Sequence, residues 1–354
     1  MNLKKILLNI LISVLIGFSI VTIIGIISAK QDLISALKLF PKYAILNLLV
    51  LLVIDYLLHA LRLHFILIGL GYRVRFLDCL ENVFYTVYFS FVTPMSIGGQ
   101  PFQIYHLTRL GVKAYDATNV SISRMFIGVS IVFFVDILFI KRVLSILKGT
   151  VGLTVVLVGF GISVLITLLG LLVFLNKTWL YGVLRFVQKV TKSQKLRDRE
   201  RAILEWIGKM SSSTKYLFSK AFWAVILDFL IGLVGSAIVA YQLKYALESV
   251  SHAQVPLFTF WGIVTMLNSV VYYVPTPGSS GGIEGFYQLV FSKLYGSKAA
   301  MSGILVFRLV TYYLVVFLGT IFIWRFTRIG RKFSGSLDEQ VGNQLGAGKD
   351  DGSI

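Results

Sequence analysis

Cysteine is almost missing: Cys79 is the only one in 354 residues. That excludes an internal disulfide and a cysteine-ligated metal cluster. Charge is scarce as well, at 14% of residues, against about 25% in a soluble domain. Acids are scarcest, 16 against 34 lysines and arginines, which leaves a net charge of +18. Nucleic-acid binders can be that basic, but they do not also carry several uncharged runs long enough to cross a bilayer, so no nucleic-acid partner is expected. His59, His64, His106 and His252 lack metal spacing such as His-Glu-x-x-His, and neither a metal nor another cofactor is expected. What is plentiful is apolar: 56% of residues are hydrophobic and mean hydropathy is +0.82. The chain reads as an all-α polytopic membrane protein.

A transmembrane helix takes about 20 mostly apolar residues. Six runs qualify: Ile6–Ser28, Tyr43–Leu61 with Asp55 and His59, Ala117–Ile140 with Arg124 and Asp136, Gly149–Asn176, Ala221–Leu243 with Asp228, and Ala299–Trp324 with Arg308. The first has no small-residue cleavage site and reads as an anchor rather than a removed signal peptide. Two further apolar segments break. Phe76–Val92 runs into Thr93-Pro94-Met95-Ser96-Ile97-Gly98-Gly99, then a short helical run from Gln100 to Leu110. Pro256–Val274 runs into Pro275-Thr276-Pro277-Gly278-Ser279-Ser280-Gly281-Gly282, then a run from Ile283 to Tyr295. Proline removes a backbone donor and glycine adds freedom, so both helices must stop there.

The two breaks share the pattern Thr-Pro-x-x-x-Gly-Gly at an offset of 183 residues, and a shift of 184 carries Arg124 onto Arg308. The spacing predicts two membrane repeats, 1–148 and 149–333. If each broken segment is a hairpin that enters and leaves on one face, 23 basic residues fall inside and 9 outside, with 2 within spans. If both cross, the split becomes 14 inside and 18 outside. The positive-inside rule favours six spans plus two re-entrant broken-helix hairpins, eight hydrophobic segments in all, with both termini cytoplasmic. Three crossings per half would invert one repeat relative to the other, as in alternating-access transporters.

At each tip a short helix starts near Gly98-Gly99 or Gly281-Gly282. Its first amides have no intrahelical partner, and the helix dipole favours an anion there. Ser96 and Ser280 can cap or bind, so the tips are candidate sites for phosphate or carboxylate. Arg124 and Arg308 leave two readings open. Each is a ligand for a headgroup phosphate, or each is paired structurally with Asp55, Asp136, Asp228 or Glu284. Glu284 stands at the start of the second short helix, where an acid can simply cap it. Asp55 and Asp228 are candidates for proton relay or for interhelical polar contacts. Gln100 and Asn268 lie near the tips as candidate headgroup contacts.

Residues 177–220 form a basic insertion in which Trp179, Leu180, Val183, Leu184, Phe186 and Val187 alternate with Arg185 and Lys189. That pattern predicts an amphipathic helix on an anionic cytoplasmic leaflet, or a charge cluster that sets topology. Residues 334–354 read as a disordered cytoplasmic tail.

The loop Thr276-Pro277-Gly278-Ser279-Ser280-Gly281-Gly282-Ile283-Glu284-Gly285 resembles the Thr-Pro-Gly-Gly-x-Gly-x-x-Glu-Gly loop of the lysylphosphatidylglycerol synthase transmembrane (flippase-like) family. Thr93-Pro94-Met95-Ser96-Ile97-Gly98-Gly99 with Tyr105, His106 and Leu107 resembles that family's first-half loop, and the Leu61-Arg62-Leu63 region its basic position after the second span. Gln100 stands where members often have an acid, which removes the basis for a proton or cation role there. Full-length relatives add a cytosolic domain that transfers lysine from lysyl-tRNA to phosphatidylglycerol. Only about 30 residues follow the last span here, too few for such a domain, so the resemblance implies the membrane part without aminoacyl transfer and without catalytic residues. It implies translocation of an anionic or aminoacylated phospholipid, or of a polyprenyl-phosphate-type lipid, in the cytoplasmic membrane. The alternative is a non-transporting membrane partner of a separate lipid aminoacyltransferase or glycosyltransferase. An enzyme acting on headgroups through Glu284 and Asp228, and a small-solute carrier, are the more distant readings.

Overall fold

The computed structural model describes residues 40–149, 151–175, 182, 200–271, 274 and 276–322. The predicted first span, the amphipathic run from Trp179 to Lys189 and the tail lie outside the described residues. Helix α1 (Lys42–Gly69) starts after the extended Pro41. It ends at Gly71, whose φ of +85° lets the Tyr72 amide turn back to the Leu67 carbonyl at 2.9 Å. The predicted second span stopped at Leu61. The helix continues for two more turns, which places Arg62 inside it rather than at the start of a loop.

Each broken segment is a helix, a break and a second, shorter helix. Helix α2 (Phe76–Phe91) is followed by the break and by α3 (Gly99–Arg109), which returns along it with the Phe89 and Phe102 rings stacked at 4.4 Å. After α4 (Ala114–Leu147), α5 (Val151–Leu175), α6 (Glu200–Ser219) and α7 (Phe222–Glu248), the second hairpin is α8 (Leu257–Val271) and α9 (Gly282–Tyr295). Its helices meet through the stacked rings of Phe260 and Phe291 at 4.9 Å and through the Tyr287 hydroxyl, which donates to Asn268 Oδ1 at 2.7 Å. At 1.5 Å per residue α2 and α8 are about 24 and 22 Å long, short of the roughly 30 Å hydrocarbon layer. The last helix, α10 (Ser297–Arg308), passes through a π turn at Leu309–Tyr313 and continues helical to Phe322. The π turn has no counterpart among the sequence expectations.

Among the described residues, three helical stretches are long and apolar enough to cross a membrane: Tyr43–Gly69, Phe222–Glu248 and Ser297–Phe322. Gly152–Ile166 and Leu257–Val271 are shorter apolar helices. Ala117–Ile140 lies within α4, whose 34 residues also carry charge at both ends. Among the described residues there is no strand, only one isolated antiparallel bridge between Pro94 and Pro277. It joins the two tips.

The helices share three apolar clusters. One gathers the first half of α1 with α7, α8, α9 and α10 around Leu48, Leu243, Phe260 and Phe291. A second gathers the other half of α1 with α2, α3, α4 and the start of α7 around Leu63, Leu67, Leu107 and Ala224. The third is small and lies between the halves, with Tyr88, Tyr312 and Val316 against Phe91 and Val92. Helices α1 and α7 run antiparallel through both large clusters. Gln242 Nε2 donates to the Leu48 carbonyl at 3.3 Å near one end of the pair, and Arg62 meets Asp228 near the other.

Helix α6 is the described part of the basic insertion. It docks on α4 through a buried polar chain. Tyr72 donates to Asp116 Oδ2 at 2.5 Å, Ser213 donates to the same carboxylate, and Asn119 Nδ2 donates to Ser213 Oγ at 2.9 Å. Partial burial and the bond to Asp116 push the Tyr72 hydroxyl up to about 12, so it stays a donor.

Candidate functional site

The two Thr-Pro breaks share their first turn and part at the next glycine, where Gly98 has a φ of −72° and Gly281 one of +86°. Met95 and Ser96 have φ of +53° and +56°, and Gly278 and Ser279, 183 residues later, have +56° and +52°. The Ser96 amide donates to the Thr93 carbonyl and the Ile97 amide to that of Pro94, each at 3.3 Å. The Ser279 and Ser280 amides repeat those bonds to Thr276 and Pro277 at 3.1 Å.

The glycines serve close packing within each hairpin. A Cβ on Gly99 would stand 2.0 Å from Ser90 Oγ, and one on Gly98 would stand 2.6 Å from Thr93 Cγ2. A Cβ on Gly282 would stand 2.5 Å from Val274 Cγ2, and one on Gly278 would stand 2.0 Å from the Tyr312 ring. At Gly98, Gly99 and Gly282, three of the four glycines predicted to admit a ligand, an added side chain would meet the protein itself.

What surrounds the tips differs. At the second, Arg308 is 2% exposed and fully engaged. Its Nε donates to Glu284 Oε1 at 2.8 Å, its Nη2 to Ser280 Oγ at 3.0 Å, and its guanidinium lies 4.0 Å from the centre of the Tyr312 ring. The other carboxylate oxygen of Glu284 accepts from the Gly281 amide at 2.7 Å, so Glu284 caps α9 and pairs Arg308 at once. At the first tip, Thr93 Oγ1 accepts from the Gly98 amide at 2.9 Å. Gln100 is exposed and Ser96 half-buried. Arg124, the sequence counterpart of Arg308, is committed elsewhere.

Arg124 belongs to a second polar cluster, between α1, α4 and α7. Asp228 is completely buried and binds two guanidiniums. Arg62 Nε and Nη2 reach its two oxygens at 3.2 and 3.0 Å, and Arg124 Nε reaches Oδ1 at 3.3 Å. Arg124 Nη2 also donates to the His59 carbonyl at 3.1 Å. Gly232 makes the room, since a Cβ there would lie 2.8 Å from Arg62 Cζ. Asp55, one turn before His59, lies with Oδ1 3.7 Å from His59 Nε2. Both arginines predicted as site residues are thus paired with acids, Arg124 with Asp228 and Arg308 with Glu284. Asn268 holds its own hairpin together, and Asp136 is buried on α4.

Sequence reasoning had Arg62 only through the family resemblance, as a basic residue after the second span, and did not name it as a site residue. The signal was available, because apolar residues continue on both sides of it from Leu61 to Gly71. It also missed Tyr312, whose hydroxyl lies 3.5 Å from both the Phe91 and the Pro277 carbonyls and so spans the two tips.

Chemically, the cluster at Asp228 places two guanidiniums on one carboxylate. Two guanidiniums sharing one carboxylate retain donors for a second oxyanion, and planar bidentate donors suit a phosphate. Among the described residues no group of three or more metal-ligating side chains occurs.

Comparison with known proteins agrees with this membrane architecture. A membrane protein of Archaeoglobus fulgidus, described as a UPF0104 membrane protein, is 26% identical over 293 residues, covering 78% of this chain and 84% of its own. The family described as the lysylphosphatidylglycerol synthase TM region matches residues 7–319. With nearly its whole helical part matched, the chain belongs to the family of lysylphosphatidylglycerol synthase transmembrane regions.

Proposed function

We propose that this protein translocates an anionic or aminoacylated phospholipid, or a polyprenyl-phosphate-type lipid, across the cytoplasmic membrane. The observation that carries the reading is the pair of buried guanidiniums, Arg62 and Arg124, held on one carboxylate between three helices. Burying arginine at membrane depth is costly, and it is found where a charged ligand or partner must be met. A lipid phosphate entering between α1, α4 and α7 takes donors from both arginines while Asp228 keeps them aligned. The acyl or prenyl chains stay in the bilayer.

In this reading the halves are inverted repeats and both broken segments re-enter from opposite faces, with the termini cytoplasmic. The turn shared by the tips, their antiparallel bridge and the antiparallel pair α1–α7 support it. The second tip, neutralised by its own Glu284–Arg308 pair, acts as the closed contact against which the first half moves.

The test is a lipid-scrambling assay in proteoliposomes of neutral phosphatidylcholine with a fluorescent phosphatidylglycerol probe. The expected result is protein-dependent movement of the probe that Arg124→Gln, still folded, slows about tenfold, the loss of one charge-assisted contact worth about 1.4 kcal/mol. Absence of movement with phosphatidylglycerol, lysyl-phosphatidylglycerol and polyprenyl-phosphate probes alike overturns the reading.

A further inference from the structure

Asp55 has no part in the phosphate contacts above, yet it is buried beside them. Its side chain is 14% exposed, and its Oδ1 has no hydrogen-bond partner. A Cβ on Gly235 of α7 would stand 3.6 Å from that oxygen, so the glycine leaves the carboxylate leaning on bare backbone. An unsatisfied carboxylate oxygen at such depth is costly when ionised.

The charged groups facing Asp55 can be named helix by helix. On α1 they are Tyr56, His59 and Arg62, and on α7 the nearest is Asp228, with Tyr241, Lys244, Tyr245 and Glu248 toward its far end. On α4 they are Arg124 and Asp136. The π turn packed against α1 adds the Tyr312 and Tyr313 hydroxyls. Helix α2 meets Tyr56 through the Phe84 ring, while its Cys79 lies farther along, 3.9 Å from His64; Asp78, Glu81, Tyr85 and Tyr88 complete its titratable groups.

With His59 neutral, the cluster holds two guanidiniums against Asp228 and Asp55 and is balanced while both acids are ionised. A phosphodiester brings a further negative charge. Protonation of Asp55 restores the balance, whereas both oxygens of Asp228 are taken up by its contacts to the two arginines. We propose that Asp55 is the coupling site of this transporter, taking up one proton for each anionic lipid phosphate bound at Arg62 and Arg124. The inference rests on the lipid-anion reading above. It makes lipid and proton travel together as an electroneutral load, so that a pH gradient drives the lipid.

The test uses the full chain purified in a neutral detergent, with phosphatidylglycerol as the probe. Titration calorimetry in two buffers of different ionisation heat counts the protons taken up. The expected result is about one proton per lipid, with affinity falling about tenfold per pH unit above the midpoint of Asp55. Asp55→Asn abolishes both the uptake and the slope, Asp55→Glu restores them, and His59→Gln keeps them. Lipid binding without proton uptake in the unmodified protein, or uptake that persists in Asp55→Asn, overturns the proposal while leaving translocation standing. Proton-linked binding in a protein that moves no lipid in liposomes sinks translocation and keeps the proton site. Failure of any anionic lipid to bind overturns both.

Discussion

The break at Thr93 and the break at Thr276 carry the same turn, with positive φ at two equivalent positions and two equivalent amide bonds, although Gly281 is left-handed where Gly98 is not, and they touch each other through Pro94 and Pro277. Their surroundings are opposite. The second tip is buried and electrically closed, with Arg308 clamped by Glu284, Ser280 and the Tyr312 ring. The first is open to the surface at Pro94, Met95, Ile97 and Gln100, and its matching arginine has moved to Asp228. A repeated sequence motif therefore fixes a turn but not a role. Role follows from which acid stands within reach, and Gln100 at the first tip offers none.

This contrast can be attacked in order of expected effect. Glu284→Ala strands a buried guanidinium and should cost about 3–5 kcal/mol of stability in a detergent unfolding titration. Gln100→Ala, at the open tip, should stay within about 0.5 kcal/mol. Equal losses at the two sites would erase the distinction. Next comes the pair of equivalent left-handed positions. Gly278→Ala drives a methyl toward the Tyr312 ring and should cost about 2–3 kcal/mol, whereas Met95→Gly relieves strain and should gain about 1 kcal/mol. A gain in both would mean that Tyr312 does not confine the second tip.

Gly232→Ala addresses the cluster rather than the tips. It should cost about 1–2 kcal/mol and displace Arg62, so the melting temperature falls modestly while lipid movement drops by a larger factor. Unchanged lipid movement in a folded variant would remove Arg62 from the site. The smallest effect is expected at the edge of the molecule. Tyr72→Phe loses the bond to Asp116 and should cost about 1 kcal/mol, with α6 still docked through Ser213 and Asn119. Release of α6, read as new protease cleavage within it, would show that Tyr72 alone holds it.

Much of the hairpin geometry was legible because its causes are local. Proline and glycine end a helix wherever they fall, so the predicted stop at Val92 and restart at Gln100 lie within a residue of those observed, Phe91 and Gly99. The site was legible only in part. Arg124 and Arg308 were found as charges in apolar runs, and Asp228 and Glu284 were named among their candidate partners. Which arginine takes which acid depends on helix adjacency, and the residues of the Arg62–Asp228 contact are 166 apart. Arg62 itself was placed after the second span, because a charge near the end of an apolar run resembles a loop start. Only the acid on α7 and the space over Gly232 make it an interior residue.

The central claim is that the cluster on Asp228 handles the anion while the second tip is a structural lock. The most direct test compares phosphatidylglycerol movement in proteoliposomes for two charge-removing double variants, Arg62→Gln/Arg124→Gln and Glu284→Gln/Arg308→Gln, each checked for folding. The account predicts a loss of at least about a hundredfold in the first, two charge-assisted contacts at about tenfold each, and a rate within about threefold of the unmodified protein in the second. Normal movement in the first variant, or a collapse confined to the second, would contradict it.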